Sequence, residues 1–138
     1  MNDRPPPDLG LEPGQESPFK GKTGLRRVWN ALNYSIAGLS AAYRCEDAFR
    51  QEVWLAVVLL PIAFLLPVSA VAQGLMAASV LLVLVVELLN SAVEAVVDRV
   101  SLENHRLAKR AKDIGSAAVL MSLLLVMVVW ASVLREML

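Results

Sequence analysis

One apolar stretch of this sequence, VLLVLVVELLNSAVEAVVDR (80–99), carries polar side chains at regular intervals. At steps of three, four and four residues it presents Glu87, Asn90, Glu94 and Asp98. This spacing stacks side chains on one face of an α-helix, and aliphatic residues cover the other faces. An ionisable group inside a membrane helix costs at least about 2.5 kcal/mol and usually marks function. For Asp98, which adjoins Arg99, a solvated helix end is the favoured interpretation.

The chemistry that these residue types suit is phosphoryl transfer from a metal-bound phosphate. Mg²⁺ prefers hard oxygen ligands and usually binds through one or two carboxylates plus substrate phosphates, which Glu46, Glu94 and Asn90 can complement. Lys112, at the start of a later apolar segment, offers a cation for an anionic group. A separate carboxylate deeper in the stripe, Glu87, is a candidate general base. Positioning and charge neutralisation supply most of the catalysis in such reactions.

A second class of function, a small proton-coupled transporter, uses the same residue types. Acids inside membrane helices also serve proton relays, and a short multi-span oligomer with a central glutamate is typical of an exporter. A basic amphipathic segment before the spans and a dense polar loop between them favour the enzyme, because a minimal exporter needs neither. The residues alone leave the transporter open as the alternative.

The composition is that of an integral membrane protein. Of the 138 residues, 57% are hydrophobic and the mean hydropathy is +0.55, which is too apolar for an ordinary soluble domain. Basic and acidic residues balance at 13 each, and no nucleic-acid partner is expected. A single cysteine, Cys45, excludes an intrachain disulfide and a cysteine cluster for zinc. The N-terminus lacks the pattern of a secretory signal, so the membrane helices are expected to target the chain.

The segments that must position the polar residues follow in order along the chain. Residues 1–19 hold five prolines and are predicted to form a disordered tail, which leaves 20–138 as a membrane domain. An amphipathic helix over 25–50 is predicted to lie on the membrane surface. The uncharged run 53–86 is too long for one span and suits two. Turn residues at 67–74 divide it, so the predicted spans are 53–67, 72–97 and 114–134.

Basic residues set the predicted orientation in the membrane. Residues 1–52 hold seven of the 13 basic residues and 98–113 hold five, whereas the turn near Pro67 holds none. Basic segments stay in the cytoplasm, so the N-terminus is predicted inside and the C-terminus outside. Three spans cannot by themselves enclose a stripe of acids among membrane lipids, and a homo-oligomer is therefore expected.

Three strings of this sequence resemble the prokaryotic diacylglycerol kinase family: AAYRCEDAFRQE (41–52), VVELLNSAVEAVVDR (85–99) and AKRAKDIGSAAVL (108–120). The resemblance implies an all-α integral membrane fold, with an N-terminal amphipathic surface helix and three transmembrane helices in a homotrimeric bundle of the bacterial inner membrane. It also implies transfer of the γ-phosphoryl group of MgATP to the primary hydroxyl of diacylglycerol, which gives phosphatidic acid.

The same resemblance implies roles for individual residues. Glu87 matches the general base, Glu46 and Glu94 match the metal ligands, and Asn90 matches a residue that orders the centre. The residues expected to bind ATP are Arg27, Tyr34, Glu46, Glu94, Glu103, Asn104, His105, Lys112 and Asp113. Those expected along the lipid path are Arg27, Ala31, Leu32, Asn33, Tyr34, Ser35, Ile36, Ser40, Ala41, Ala42, Tyr43, Glu87, Ser116 and Trp130. Interfacial anchoring is an equal alternative for Tyr34 and Trp130.

The identity of the lipid alcohol has one alternative within the family. A branch of the family phosphorylates undecaprenol, a long polyprenyl alcohol, by the same chemistry. The strings NSAVE (90–94) and DIGSAA (113–118) are more similar to the diacylglycerol branch. Diacylglycerol is therefore the expected acceptor.

Overall fold

The computed structural model describes residues 24–100 and 106–137. Their regular structure consists of α1 (Leu25–Cys45), α2 (Asp47–Leu65), α3 (Ala70–Val100) and α4 (Arg106–Arg135). The prediction of an all-α fold is confirmed. The proline-rich segment 1–19 and the expected ATP-binding residues Glu103, Asn104 and His105 lie outside the described residues.

Three of the helices are long and apolar enough to cross a membrane. They are α2, α3 and α4, and the mean hydropathy of their most apolar windows is 1.6, 2.3 and 2.6. Within residues 24–100 and 106–137, the predicted number of spanning helices is confirmed at the level of length and composition. No more than 17% of any of these windows is buried within the chain, so most of their apolar surface needs cover from lipid or from other protein.

The long uncharged run is divided by a short turn between α2 and α3. Two side chains bond to the backbone there: Ser69 Oγ accepts the Ala72 N–H at 3.2 Å, and Gln73 Nε2 donates to the Leu66 carbonyl at 3.1 Å. Gln73 also donates to the Phe64 carbonyl, an otherwise unpaired group of the last turn of α2. These bonds satisfy backbone groups that the end of α2 and the start of α3 leave without a partner inside the helix.

The segment 25–50 contains a break that its periodicity does not reveal. Glu46 has an extended backbone with φ −110° and ψ 114°, which ends α1 at Cys45 and starts α2 at Asp47. The Arg50 guanidinium donates to the carbonyls of Arg44 at 3.0 Å and Tyr43 at 3.3 Å, and it pairs with Asp47. Arg50 thus stabilises the C-terminal turn of α1, and both Arg50 and Glu52 belong to α2.

The chain divides within α1, between Ile36 and Ala37, into two units that are described separately. In the first, Gly24 has φ +80°, a conformation that glycine adopts without strain, and its carbonyl accepts the Arg27 N–H at the start of α1. The apolar side chains of this unit are largely exposed; Leu25 is 89% and Trp29 63% accessible. Its placement on a membrane surface stays a prediction.

In the second unit α3 packs against both α2 and α4. The buried cluster at the end that holds the α2–α3 turn consists of Ala63, Met76 and Val133, with Trp130 packed against it. Small buried residues such as Ala56 and Ala77 accompany the packing. Small side chains let membrane helices approach closely. Van der Waals contact between the helices then stabilises their association, since lipid is as apolar as the side chains and provides no hydrophobic driving force.

Candidate active site

The stripe of polar residues on α3 is turned toward the protein rather than away from it. Glu87 is only 4% exposed, although it lies in the middle of an aliphatic helix. Leu89 and Val85 on the same helix are 63% and 50% exposed. In a water-soluble protein the acid would be exposed and the aliphatic residues buried, whereas here the acid is buried and the aliphatic residues are exposed. This is the arrangement expected of a membrane helix, because an ionisable group in contact with lipid is costly.

One turn after Glu87 in α3, an amide and a carboxylate form a hydrogen bond. Asn90 Nδ2 donates to Glu94 Oε1 at 3.4 Å, which orients both side chains along the stripe. Asn90 Oδ1 is buried and has no hydrogen-bond partner among the described residues. A buried oxygen without a donor is costly, so this atom is suited to receive a ligand.

Gly115 of α4 makes room for the Asn90 side chain. A Cβ atom on Gly115 would overlap Asn90 Oδ1 and lie 3.3 Å from its Cγ. No other residue type fits at this position without displacing the amide, because every other residue carries a Cβ atom. The close approach of α3 and α4 at Gly115 therefore leaves the Asn90 side chain the space that it occupies.

The acid cluster consists of four carboxylates, which come from α2, from α3 and from the junction of α1 and α2. Glu46, at the junction of α1 and α2, and Glu94, on α3, are both near enough to Glu87 for their charges to repel its charge. Glu52 of α2 likewise interacts with Glu87, and its buried Oε2 has no hydrogen-bond partner among the described residues. Mutual repulsion of this kind needs a cation or protons for compensation.

Glu52 is a member of the cluster that the sequence analysis missed. It also lines an apolar cavity of about 180 Å³ between α2, α3 and α4, as the one charged residue among aliphatic ones. The sequence feature that could have identified Glu52 is its position as the last charged residue before the uncharged run 53–86. A carboxylate at that position can belong to the first turns of a spanning helix instead of to a surface helix.

At the loop end of the stripe, an ion pair connects α3 to α4. Lys112 Nζ lies 2.6 Å from Asp98 Oδ1, and the charge of Glu94 acts on the same ammonium group. Asp98 lies in the last turn of α3 with a side chain that is 65% exposed, as expected of a solvated helix end, and it also pairs across to α4. Asp113, the other polar residue of this helix start, is exposed.

Within the second unit, the residues expected along the lipid path lie at different depths of the spanning helices. Ser116 is exposed on α4, and Trp130 packs at the α2–α3 turn end, with its buried Nε1 unpaired among the described residues. Met76, beside Trp130, and Glu87 are about 16 Å apart along α3 at the usual rise per residue. In the second unit, the expected lipid contacts of α1 are Ser40, Ala41, Ala42 and Tyr43, of which Ala42 is buried.

The remaining expected residues belong to the first unit and lie on α1, mostly exposed to solvent in the single chain. They are Arg27, Ala31, Leu32, Asn33, Tyr34, Ser35 and Ile36. The hydroxyl of Ser35 donates to the Ala31 carbonyl at 3.0 Å, so the hydrogen-bond donor of this side chain is satisfied within α1.

A family model described as prokaryotic diacylglycerol kinase matches residues 33–134. The chain belongs to the prokaryotic diacylglycerol kinase family. The resemblance inferred from the three strings is confirmed.

Relatives in this family match the chain over most of its length. A diacylglycerol kinase of Pseudomonas aeruginosa is 61% identical over 118 residues, which cover 86% of this chain and 96% of that protein. A diacylglycerol kinase of Haemophilus influenzae is 49% identical, over 81% of this chain and 95% of that protein. One of Escherichia coli K12 is 48% identical, over 78% and 88%.

Membership in a kinase family implies a divalent metal, and the donor set of the acid cluster fits one. Glu46 and Glu94 supply hard carboxylate oxygens, and Asn90 Oδ1 is the buried oxygen without a donor. Among residues 24–100 and 106–137, no group of three or more His, Cys, Asp or Glu side chains is arranged so that it could hold a metal ion by itself. A cation that takes one or two carboxylates and completes its shell with phosphates and water needs no such group.

Proposed function

We propose that the chain is an ATP-dependent lipid kinase that transfers the γ-phosphoryl group of MgATP to the primary hydroxyl of diacylglycerol, producing phosphatidic acid. The observation that carries this proposal is the cluster of Glu46, Glu87 and Glu94 around a buried position on α3, in a member of this family. Related proteins bear the name diacylglycerol kinase, which supports this acceptor.

Glu87 is the general base of the proposed reaction. The lipid hydroxyl oxygen forms a bond to the γ-phosphorus while the bond from that phosphorus to the bridging oxygen of ADP breaks. The hydroxyl proton passes to Glu87, and ADP leaves with the electron pair of the broken bond. A buried carboxylate among like charges is well suited to accept a proton, because protonation relieves both desolvation and repulsion.

Two other acids and one amide are proposed to bind the metal that accompanies the nucleotide phosphates. Glu46 and Glu94 are the residues that would hold Mg²⁺, and Asn90 orients Glu94 through its amide hydrogen bond. Mg²⁺, when bound, would neutralise charge on the phosphates. Lys112 supplies a positive charge from α4 beside Glu94. The other residues proposed to contact ATP are Arg27, Tyr34, Glu103, Asn104, His105 and Asp113.

The proposed assembly is a homotrimer in the bacterial inner membrane. Each spanning window is at most 17% buried within one chain, which leaves apolar surface for other copies and for lipid. The N-terminus and the 98–113 loop are proposed to be cytoplasmic, because these segments hold 12 of the 13 basic residues. Nucleotide then approaches from water while the lipid hydroxyl reaches Glu87 at the cytoplasmic side.

A phosphotransfer assay with purified protein tests the proposal. The protein is placed in mixed micelles with MgATP and either diacylglycerol or undecaprenol, and labelled phospholipid is measured without any ion gradient. Diacylglycerol should be the better acceptor, and Glu136→Gln, at an exposed carboxylate in the turn after α4, serves as the control with normal turnover. Faster phosphorylation of undecaprenol would reassign the acceptor. No phospholipid from either alcohol, with proton movement in proteoliposomes, would favour a transporter instead.

A further inference from the structure

The ion pair between Asp98 and Lys112 involves a carboxylate that the proposed reaction does not use. Lys112 Nζ and Asp98 Oδ1 are 2.6 Å apart and come from different helices. The Asp98 side chain is 65% exposed and that of Lys112 is 39% exposed. The pair lies where α3 ends and α4 begins, at the loop end of the acid cluster.

Local helix energetics do not account for Asp98. It lies in the last turn of α3, where the negative end of the helix dipole disfavours an acid. Exposed ion pairs contribute little to folding stability, because solvent screens them and ordering two side chains costs entropy. The two helices are already in close contact at Asn90 and Gly115. The pair therefore contributes little to holding the fold together.

The effect of the pair is to fix the place of one cation. A lysine ammonium is a compact charge on a flexible stem of four carbons, so it adopts many positions unless a partner restricts it. Here Asp98 restricts it, and Glu94 acts on the same ammonium. Glu94 in turn accepts from Asn90 at 3.4 Å. Asp98 is the outer end of a series of interactions that leads to the centre of the cluster.

We propose that Asp98 is a positioning residue, which holds the Lys112 ammonium beside Glu94 where the nucleotide phosphates bind. This inference rests on the proposed kinase function and adds to it a residue that acts only through Lys112. A side chain that is already restricted loses less conformational freedom when its ligand binds, so preorganisation strengthens binding. Loss of Asp98 should therefore weaken nucleotide binding and leave the lipid site and the general base unchanged.

The test compares Asp98→Asn with Asp98→Glu and with the control Glu136→Gln. Calorimetric titration of the oligomer in detergent measures binding of a non-hydrolysable ATP analogue with Mg²⁺, and kinetics give a KM for each substrate. Asp98→Asn should weaken analogue binding about 10-fold, as the loss of an outer-shell partner does at metal sites. The KM for MgATP should rise in parallel while the KM for diacylglycerol stays constant. Asp98→Glu retains the carboxylate and should recover most of the affinity.

A double variant isolates the dependence on Lys112. In a Lys112→Ala background, Asp98→Asn should cause no further loss of analogue affinity, because the group that Asp98 positions is gone. The proposal is overturned by unchanged or tighter analogue binding in Asp98→Asn, by an equal loss in the Lys112→Ala background, or by a lowered thermal unfolding midpoint that Asp98→Glu does not restore. If wild type binds the analogue yet phosphorylates no lipid alcohol, the kinase proposal fails, and these affinities still decide the role of Asp98.

Discussion

The side chain of Asn90 on α3 occupies the space that a side chain at Gly115 on α4 would need. A Cβ atom on Gly115 would overlap Asn90 Oδ1, and the amide nitrogen of Asn90 donates to Glu94 at 3.4 Å. The absence of a side chain on one helix thus makes room for an amide on the other, and this amide donates to a proposed metal ligand. A packing change at Gly115 should consequently alter metal use as well as stability.

Gly115→Ala should reduce activity more than stability. The added methyl group must displace the end of the Asn90 side chain and with it the hydrogen bond to Glu94, while alanine in place of glycine favours the helix by about 1 kcal/mol. Thermal unfolding in detergent gives the stability, and a Mg²⁺ titration of kinase activity should move to higher metal concentration. Gly74→Ala on α3 is the matched control, because nothing lies within 4 Å of a Cβ atom there. Equal behaviour of the two variants would contradict the proposed role of the close approach.

Glu87→Gln should remove nearly all turnover while nucleotide binding persists. The amide keeps the shape of the side chain but cannot accept the hydroxyl proton, and loss of a general base typically costs about 10²- to 10⁴-fold. Initial rates with diacylglycerol and binding of a non-hydrolysable ATP analogue are measured on the same preparation, after its oligomeric state has been checked. A variant that kept a substantial part of the wild-type rate would rule out the general-base role.

Glu46→Gln and Glu94→Gln should each weaken the use of Mg²⁺. Replacing a carboxylate with an amide removes one charged ligand, and Mg²⁺ usually has only one or two such ligands from protein. Part of the activity should therefore return when the metal concentration is raised. Metal titrations that superpose on the wild-type curve would contradict the assignment, with Glu136→Gln again as the control for loss of a carboxylate elsewhere.

Glu52→Gln tests the carboxylate that the sequence analysis missed. Removing its charge lowers the repulsion felt at Glu87, and the amide keeps the volume of the side chain beside the apolar cavity. The variant should fold at least as stably as wild type, because an unpaired buried charge is costly and the amide is neutral. Thermal unfolding measures this. A clear loss of stability would mean that the charge of Glu52 has a partner of opposite sign in the assembled protein.

Removing residues 1–19 should leave kinase activity close to wild type. The segment contains five prolines and almost no large apolar side chain that could dock on the membrane domain. The family match begins at residue 33, well after it. Specific activity and oligomeric state of the shortened chain are compared with the full chain. A large loss of either would assign a structural role to the tail.

The sequence by itself determined the fold class, the three apolar helices and the spacing of the acid stripe. These follow from local properties: a long uncharged run needs a bilayer, a turn must divide it, and residues three and four apart share a face in any helix. The strings around Glu46, Glu87 and Lys112 also sufficed for the family. None of this requires knowledge of how one helix packs on another.

Only the tertiary structure decided which helix each member of the stripe packs against and how deeply it is buried. Lipid is as apolar as a helix interface, so hydrophobic periodicity does not reveal the rotation of a membrane helix. The 4% exposure of Glu87 beside the 63% exposure of Leu89 had to come from packing. The same holds for the Asn90–Gly115 contact and the Asp98–Lys112 pair, because each joins residues of two helices whose relative position no local pattern specifies.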